Sequence, residues 1–160
     1  MTLFINSDAP VIVQGMTGHQ GMLHTSRMLH AGTNIVGGVN PRKAGSVVDF
    51  DSKSIPVFAT CQEAKEHTGA QASVVFVPPR FAKDAVVEAI EAGIGLIVVI
   101  TEGIPVADTA YFVALAKKRN VRIIGPNCPG MLTSNGETVA NLGIIPQDIT
   151  GYGSLGLISK

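Results

Sequence analysis

The residues best suited to chemistry lie in short clusters, each directly after an apolar run. Val11-Ile12-Val13 leads into Gln14-Gly15-Met16-Thr17-Gly18-His19-Gln20-Gly21, and a helix-like segment over about 22–31 follows. A strand, a glycine loop and a helix start, in that order, make an anion site. The glycines permit a tight turn and let backbone N–H groups approach a ligand closely. The helix start adds unpaired N–H donors and a partial positive charge. The spacing is G-x-x-G-x-x-G, which differs from the dinucleotide pattern G-x-G-x-x-G. A tight turn without a ligand uses the same residues.

A second cluster says what the first would hold. Proteins that bind NAD carry an Asp or Glu roughly 20 residues past the glycines, where it holds the ribose hydroxyls. Here that place is Asn40-Pro41-Arg42-Lys43, and the nearest acids are Asp49 and Asp51. A cation pair attracts a phosphate on the ribose. Two ligands fit: NADP, with its 2′-phosphate, and coenzyme A, with its 3′-phosphate. A solvated Arg–Lys pair on a loop is the plain alternative.

Other reactive side chains are fewer. Glu102 offers a general base or a positioning group. Cys128 has no partner His nearby in sequence and reads better as a turn cysteine than as a nucleophile. Arg80 and Lys83 open a helix, where they meet a pyrophosphate or simply solvate the helix start. Lys83 opposes the helix dipole there, which slightly favours a ligand. His24 and His30 fall on the first helix and His67 on the second, as solvated or packed residues.

The elements that must position these clusters alternate. Strands are expected at 11–13, 35–39, 55–58, 72–77, 96–100 and 121–124, with the short one at 55–58 edge-like. Helices are expected over about 22–31, 61–67, 81–92 and 107–119. The helix over 81–92 is the clearest, with Ala82, Ala85, Val86, Ala89 and Ile90 at helical spacing and Gly93 as its cap. Residues 40–54 read as a loop. The unbroken run Leu96-Ile97-Val98-Val99-Ile100 suits a parallel sheet covered on both faces. Alternating strands and helices predict an α/β fold: a Rossmann-like, doubly wound, mostly parallel sheet. Ligands in such sheets sit beyond the carboxyl ends of the strands. That rule gathers the loops at 15–21, 40–45, 78–80, 101–105 and 125–130 on one edge. After Gly130 the pattern weakens. Residues 143–146 are expected to add a strand, 147–153 a linker, and 154–160 a fresh strand.

Composition narrows the class. The chain has 160 residues, 12 Lys and Arg against 12 Asp and Glu, and a net charge of zero. That balance argues against nucleic acid or an anionic membrane as the main partner. Cys61 and Cys128 have neither metal-ligand spacing nor a disulfide framework. No apolar run reaches bilayer length, and the N-terminus lacks a signal peptide's basic region and core. A cytoplasmic protein, or a mature organelle protein with its transit peptide gone, is the simplest reading.

Four motifs together resemble a known family. They are Gln14-Gly15-Met16-Thr17-Gly18-His19-Gln20-Gly21, Gly37-Gly38-Val39-Asn40-Pro41-Arg42-Lys43, Ile100-Thr101-Glu102-Gly103-Ile104-Pro105 and Gly125-Pro126-Asn127-Cys128-Pro129-Gly130. In this order they resemble the N-terminal CoA-binding domain of the succinate–CoA ligase (succinyl-CoA synthetase) α subunit, across nearly the whole chain. The resemblance implies a Rossmann-like domain that holds coenzyme A and pairs with a β subunit carrying the nucleotide site. The full enzyme forms succinyl-CoA from succinate and CoA at the expense of ATP or GTP, through a phosphohistidine. By the resemblance, the CoA contacts fall on Thr17, Gly18, His19 and Gln20, on Lys43, and on Ile100, Thr101 and Glu102, with Asn127 and Cys128 near the same pocket. His19 departs from the small Ser often found there. The resemblance divides the chain into a CoA-binding domain, 1–146, and a linker with the first strand of a truncated ligase domain, 147–160. It places the phosphohistidine outside this chain, so that no catalytic residue and no metal site is expected here and the chain alone should be inactive. A free-standing CoA-binding module is the alternative, and an NADP-linked oxidoreductase a distant third.

Overall fold

β1 (Val11–Gln14) runs straight into the glycine loop, and α1 (His19–His30) returns antiparallel to it. The computed structural model describes residues 4–51, 53–146, 153 and 156–158. β2 (Ile35–Val39) follows α1 and ends in a short 3-10 turn, Pro41–Lys43. Then come β3 (Val47–Phe50), β4 (Lys53–Phe58), α2 (Cys61–Thr68) and β5 (Ala72–Val75). α3 (Pro79–Glu91), β6 (Leu96–Val99), α4 (Val106–Lys118) and β7 (Arg122–Ile124) complete the alternation. β8 (Gly130–Ser134) and β9 (Val139–Gly143) close the described order as a separate hairpin.

The main sheet has the order β3-β4-β2-β1-β5-β6-β7. All its pairs are parallel except β3–β4 at the edge. The chain winds outward from β1 in one direction, then restarts at β5 on β1's other side. A crevice therefore opens between the carboxyl ends of β1 and β5.

Side chains along each central strand alternate between two cores. Ile12, Val75, Ile97 and Val99 face one side, where α2, α3 and α4 pack. Val11, Val13, Val74, Leu96 and Val98 face the other, where α1 and β9 pack through Met28, Ala140 and Leu142. The sheet is thus covered on both faces, which is why its strands are apolar throughout rather than alternating. Phe112 is the one large side chain that α4 buries fully. Phe112→Ala should cost about 3–5 kcal/mol.

Several boundaries differ from the sequence expectation. α1 starts three residues early, because Gly18 takes the extended N-cap conformation and the helix begins inside the loop. α3 starts at Pro79, which occupies the first helical turn without losing a hydrogen bond. The 40–54 loop contains β3, an edge strand with exposed Val47 and half-buried Val48. β4 is therefore not the edge. Its Pro56 falls just before the ladder to β2 begins at Val57, so it removes no bond there.

The expected strand at 143–146 is displaced as well. Gly143 ends β9, and residues 144–146 carry no strand. The strand expected at 154–160 lies largely outside the described residues, and 156–158 within it carry none.

Candidate ligand site at the C-terminal edge of the sheet

The site begins with the close fit of the glycine loop. Gly15 has φ +81°, and a Cβ there would sit 3.1 Å from Val77 N, across the β1/β5 crevice. Gly21 is tighter still: a Cβ would fall 2.1 Å from Gly15 O. Only glycine lets α1 start so close to the loop it leaves. Gly18 differs. Its φ is −78°, it is exposed, and a Cβ would meet only Gly15 O at 3.3 Å. Packing therefore favours glycine at 18 far less than at 21: the contact is tight, but a shift of a few tenths of an ångström relieves it.

The basic turn is held beside this loop by Asn40. The Asn40 side-chain amide donates to Thr17 Oγ1 at 2.6 Å, and its Oδ1 accepts from Arg42 N at 3.0 Å. Lys43 N donates to Asn40 O, and Ser46 Oγ donates to Lys43 O. Arg42 and Lys43 are exposed, and neither has an acidic partner among the described residues. Asn40 is a residue whose role the sequence reading missed. The Asn-Pro start of a turn signals a cap, but the bond to Thr17 spans 23 residues and has no local signature.

The remaining loops form a cleft of about 680 Å³. Gln20 and His24 line it from α1, Phe76 to Pro79 from the loop after β5, Ile100 to Glu102 from the loop after β6, and Asn127 to Pro129 from the loop after β7. Ile144 closes one side. Cross-ties hold these loops in register. Thr101 Oγ1 donates to Val77 O at 2.7 Å, Asn127 N donates to Thr101 O at 3.0 Å, and Cys128 Sγ reaches Val99 O at 3.4 Å. Asn127 sits at φ +55°, a left-handed conformation that Asn tolerates better than most residues.

Of the ten residues singled out in sequence, Gln20, Ile100, Thr101, Glu102, Asn127 and Cys128 meet in this cleft. Thr17, Gly18 and His19 lie at its α1 end but outside the lining, and Lys43 stands on the neighbouring turn. Cys128 is half-buried, and burial pushes its thiol pKa up while a backbone hydrogen bond from Gly130 works against that. A thiol held protonated fits the turn-cysteine reading. Lys83 is drawn away from the cleft: its ammonium lies 3.1 Å from Asp108 and 5.0 Å from the Tyr111 ring centre. Arg80 lies over the Phe81 ring.

His24, expected as a solvated or packed residue, is packed, but its place in the cleft wall was not anticipated. It is buried, its ring stacks flat on Phe76, and burial followed by the Arg27 guanidinium lowers its pKa. His30 and His67 behave as ordinary helical histidines, each with Nδ1 at the carbonyl four residues back. A second concavity of about 570 Å³, beside Ser26, Arg27, His30 and Asn141, holds none of the ten.

A parallel sheet wound both ways, with a glycine loop, an exposed basic turn and a cleft at its switch point, defines a Rossmann-like ligand-binding domain. Residues 6–103 match the CoA binding domain family, and the chain belongs to it. Over its full length it is 45% identical to the succinate–CoA ligase [ADP-forming] subunit alpha of Aquifex aeolicus, of which it covers 51%. It is 46% identical to subunit alpha 2 of that ligase in Archaeoglobus fulgidus, of which it covers 53%. The chain thus spans about half the length of the curated relatives it matches. Among solved structures, ATP citrate lyase from Methanothrix soehngenii, in complex with citrate and coenzyme A, shares the fold. Its TM-score is 0.69 at 24% identity, over 89% of this chain and 24% of that one. Among the described residues, no helix is long and apolar enough to cross a membrane, and no group of His, Cys, Asp or Glu is gathered as metal ligands.

Proposed function

We propose that residues 1–146 bind coenzyme A across the C-terminal edge of the sheet, as the CoA-binding part of the α subunit of an NDP-forming succinate–CoA ligase. That enzyme joins succinate and CoA at the expense of ATP or GTP, through a phosphohistidine outside this chain and with a β subunit as partner. The observation that carries the reading is the pairing of an unpartnered cationic turn with an apolar-walled cleft on the same sheet edge. Coenzyme A has matching ends: a 3′-phosphate on the nucleotide and a long, weakly polar pantetheine arm. Lys43, assisted by Arg42, takes the 3′-phosphate. Thr17, Gly18, His19 and Gln20 bring backbone N–H groups and the positive end of α1 to the pyrophosphate. Ile100, Thr101, Glu102, Asn127 and Cys128 border the arm.

Calorimetric titration of the chain with CoA, dephospho-CoA and NADPH tests the reading. CoA should bind most tightly and dephospho-CoA more weakly. NADPH binding as tightly as CoA would overturn it.

A further inference from the structure

His24 lies one helical turn from Gln20 on the cleft side of α1. Its ring and that of Phe76 stack with centroids 5.6 Å apart and planes within 4° of parallel. Nδ1 is buried and has no hydrogen-bond partner among the described residues. Nε2 is not sealed in this way, and the ring lines the cleft, so Nε2 is the nitrogen available to a ligand.

The two nitrogens are not equivalent. A neutral imidazole has one N–H donor and one lone-pair acceptor. An N–H buried without an acceptor is rarer in proteins than an under-satisfied acceptor. The proton therefore belongs on Nε2, and the sealed Nδ1 keeps its lone pair. Charging the ring would place a second N–H on the sealed side, which fits the lowered pKa. The result is a neutral donor held rigidly against an aromatic wall.

We propose that His24 is the cleft's fixed N–H donor, through Nε2, for an amide carbonyl of the pantetheine arm. This rests on the coenzyme A reading above. The ring lies against apolar Phe76, and Val77 and Ile100 line the same cleft beside the polar Gln20, Thr101, Glu102 and Asn127, so a carbonyl entering at the ring exchanges water for one oriented donor.

His24→Phe keeps the stack and removes the donor. Its affinity is measured for CoA and for adenosine 3′,5′-bisphosphate, which has the 3′-phosphate and lacks the arm. CoA should bind about 2- to 12-fold more weakly, the loss of one hydrogen bond. The bisphosphate should bind as it does to the native protein. His24→Gln, which restores a donor, should recover part of the loss. Unchanged CoA affinity, or an equal loss for both ligands, would reduce His24 to a core residue and overturn the proposal. If the native protein binds neither ligand, the coenzyme A reading itself fails. Should the variants not fold, the native His24 imidazole is followed by ¹⁵N NMR. Its Nε2–H signal should shift on adding CoA and stay in place with the bisphosphate. A signal unmoved by CoA would overturn the proposal.

Discussion

Replacing Lys43 by Ala is expected to weaken CoA by roughly 10-fold, and to do so only while the 3′-phosphate is present. The structure sets that magnitude. Lys43 is exposed on a turn pinned by Asn40 and Ser46, so its backbone is already in place before a ligand arrives. It has no carboxylate to leave, so binding breaks no existing pair. A hydrogen bond to a charged group contributes about 1.5–3 kcal/mol net, whereas a fully exposed ion pair contributes about 0.2–1 kcal/mol. An exposed turn with Arg42 as its neighbour belongs at the low end of the first range, and about 1.5 kcal/mol is roughly 10-fold in affinity. The assay is a four-titration cycle: native and Lys43→Ala, each with CoA and dephospho-CoA, at one ionic strength because exposed charges are screened. Dephospho-CoA should bind the native protein about as weakly as CoA binds the variant, and lose little further when Lys43 is removed. The coupling energy should be about 1.5 kcal/mol. A coupling near zero would refute the pairing even if the variant bound CoA poorly. Lys43 would then belong at the pyrophosphate, and NADP would return as a ligand.

Asn40→Ala removes the bonds to Thr17 and Arg42 N; melting should fall by about 2–8 °C, and the preference for CoA over dephospho-CoA should narrow, as seen by calorimetry. Gly18→Val should keep a native-like circular dichroism spectrum and lose CoA binding, since the site is exposed and its one close neighbour, Gly15 O at 3.3 Å from a Cβ, needs only a small shift. By contrast, Gly21→Ala should destabilise the fold by about 1–3 kcal/mol or more in denaturant titration, because its methyl would collide with Gly15 O. Lys83→Ala should leave CoA affinity unchanged, since Asp108 holds the ammonium; a 10-fold loss would place that cation on the ligand instead.

The sheet was legible because its signal is local and strong. A strand buried on both faces shows a run such as Leu96-Ile97-Val98-Val99, and each run here ends in a loop rich in Gly, Pro or polar residues. The weaker strands escaped for opposite reasons. β3 is an edge with Val47 exposed, so no apolar run announces it. β8 and β9 mix apolar and polar residues, and Asn141, though buried, looks like a loop residue. Their connection contains Asn135-Gly136, a strong short-range hairpin signal, so this hairpin was within reach of the sequence. That hairpin covers the face of the sheet where α1 alone would leave the strands β5 and β6 open.

The loops around the cleft were legible and His24 on α1 was not, and the reason is periodicity. Treating 17–20 as loop hides the fact that α1 begins at His19. Once the helix starts there, Gln20 and His24 are four residues apart and face the same way. The cleft then gains a wall that no glycine motif predicts. The same starting point fixes Gly21 against Gly15 O, and so brings the positive end of α1 to within one turn of Thr17, which Asn40 ties to the basic turn. The glycine loop, the cationic turn and the histidine are therefore one construction with a shared origin at the start of α1. A change at Gly21 should disturb all three, whereas a change at Lys43 or His24 should disturb only the end of the ligand that it meets.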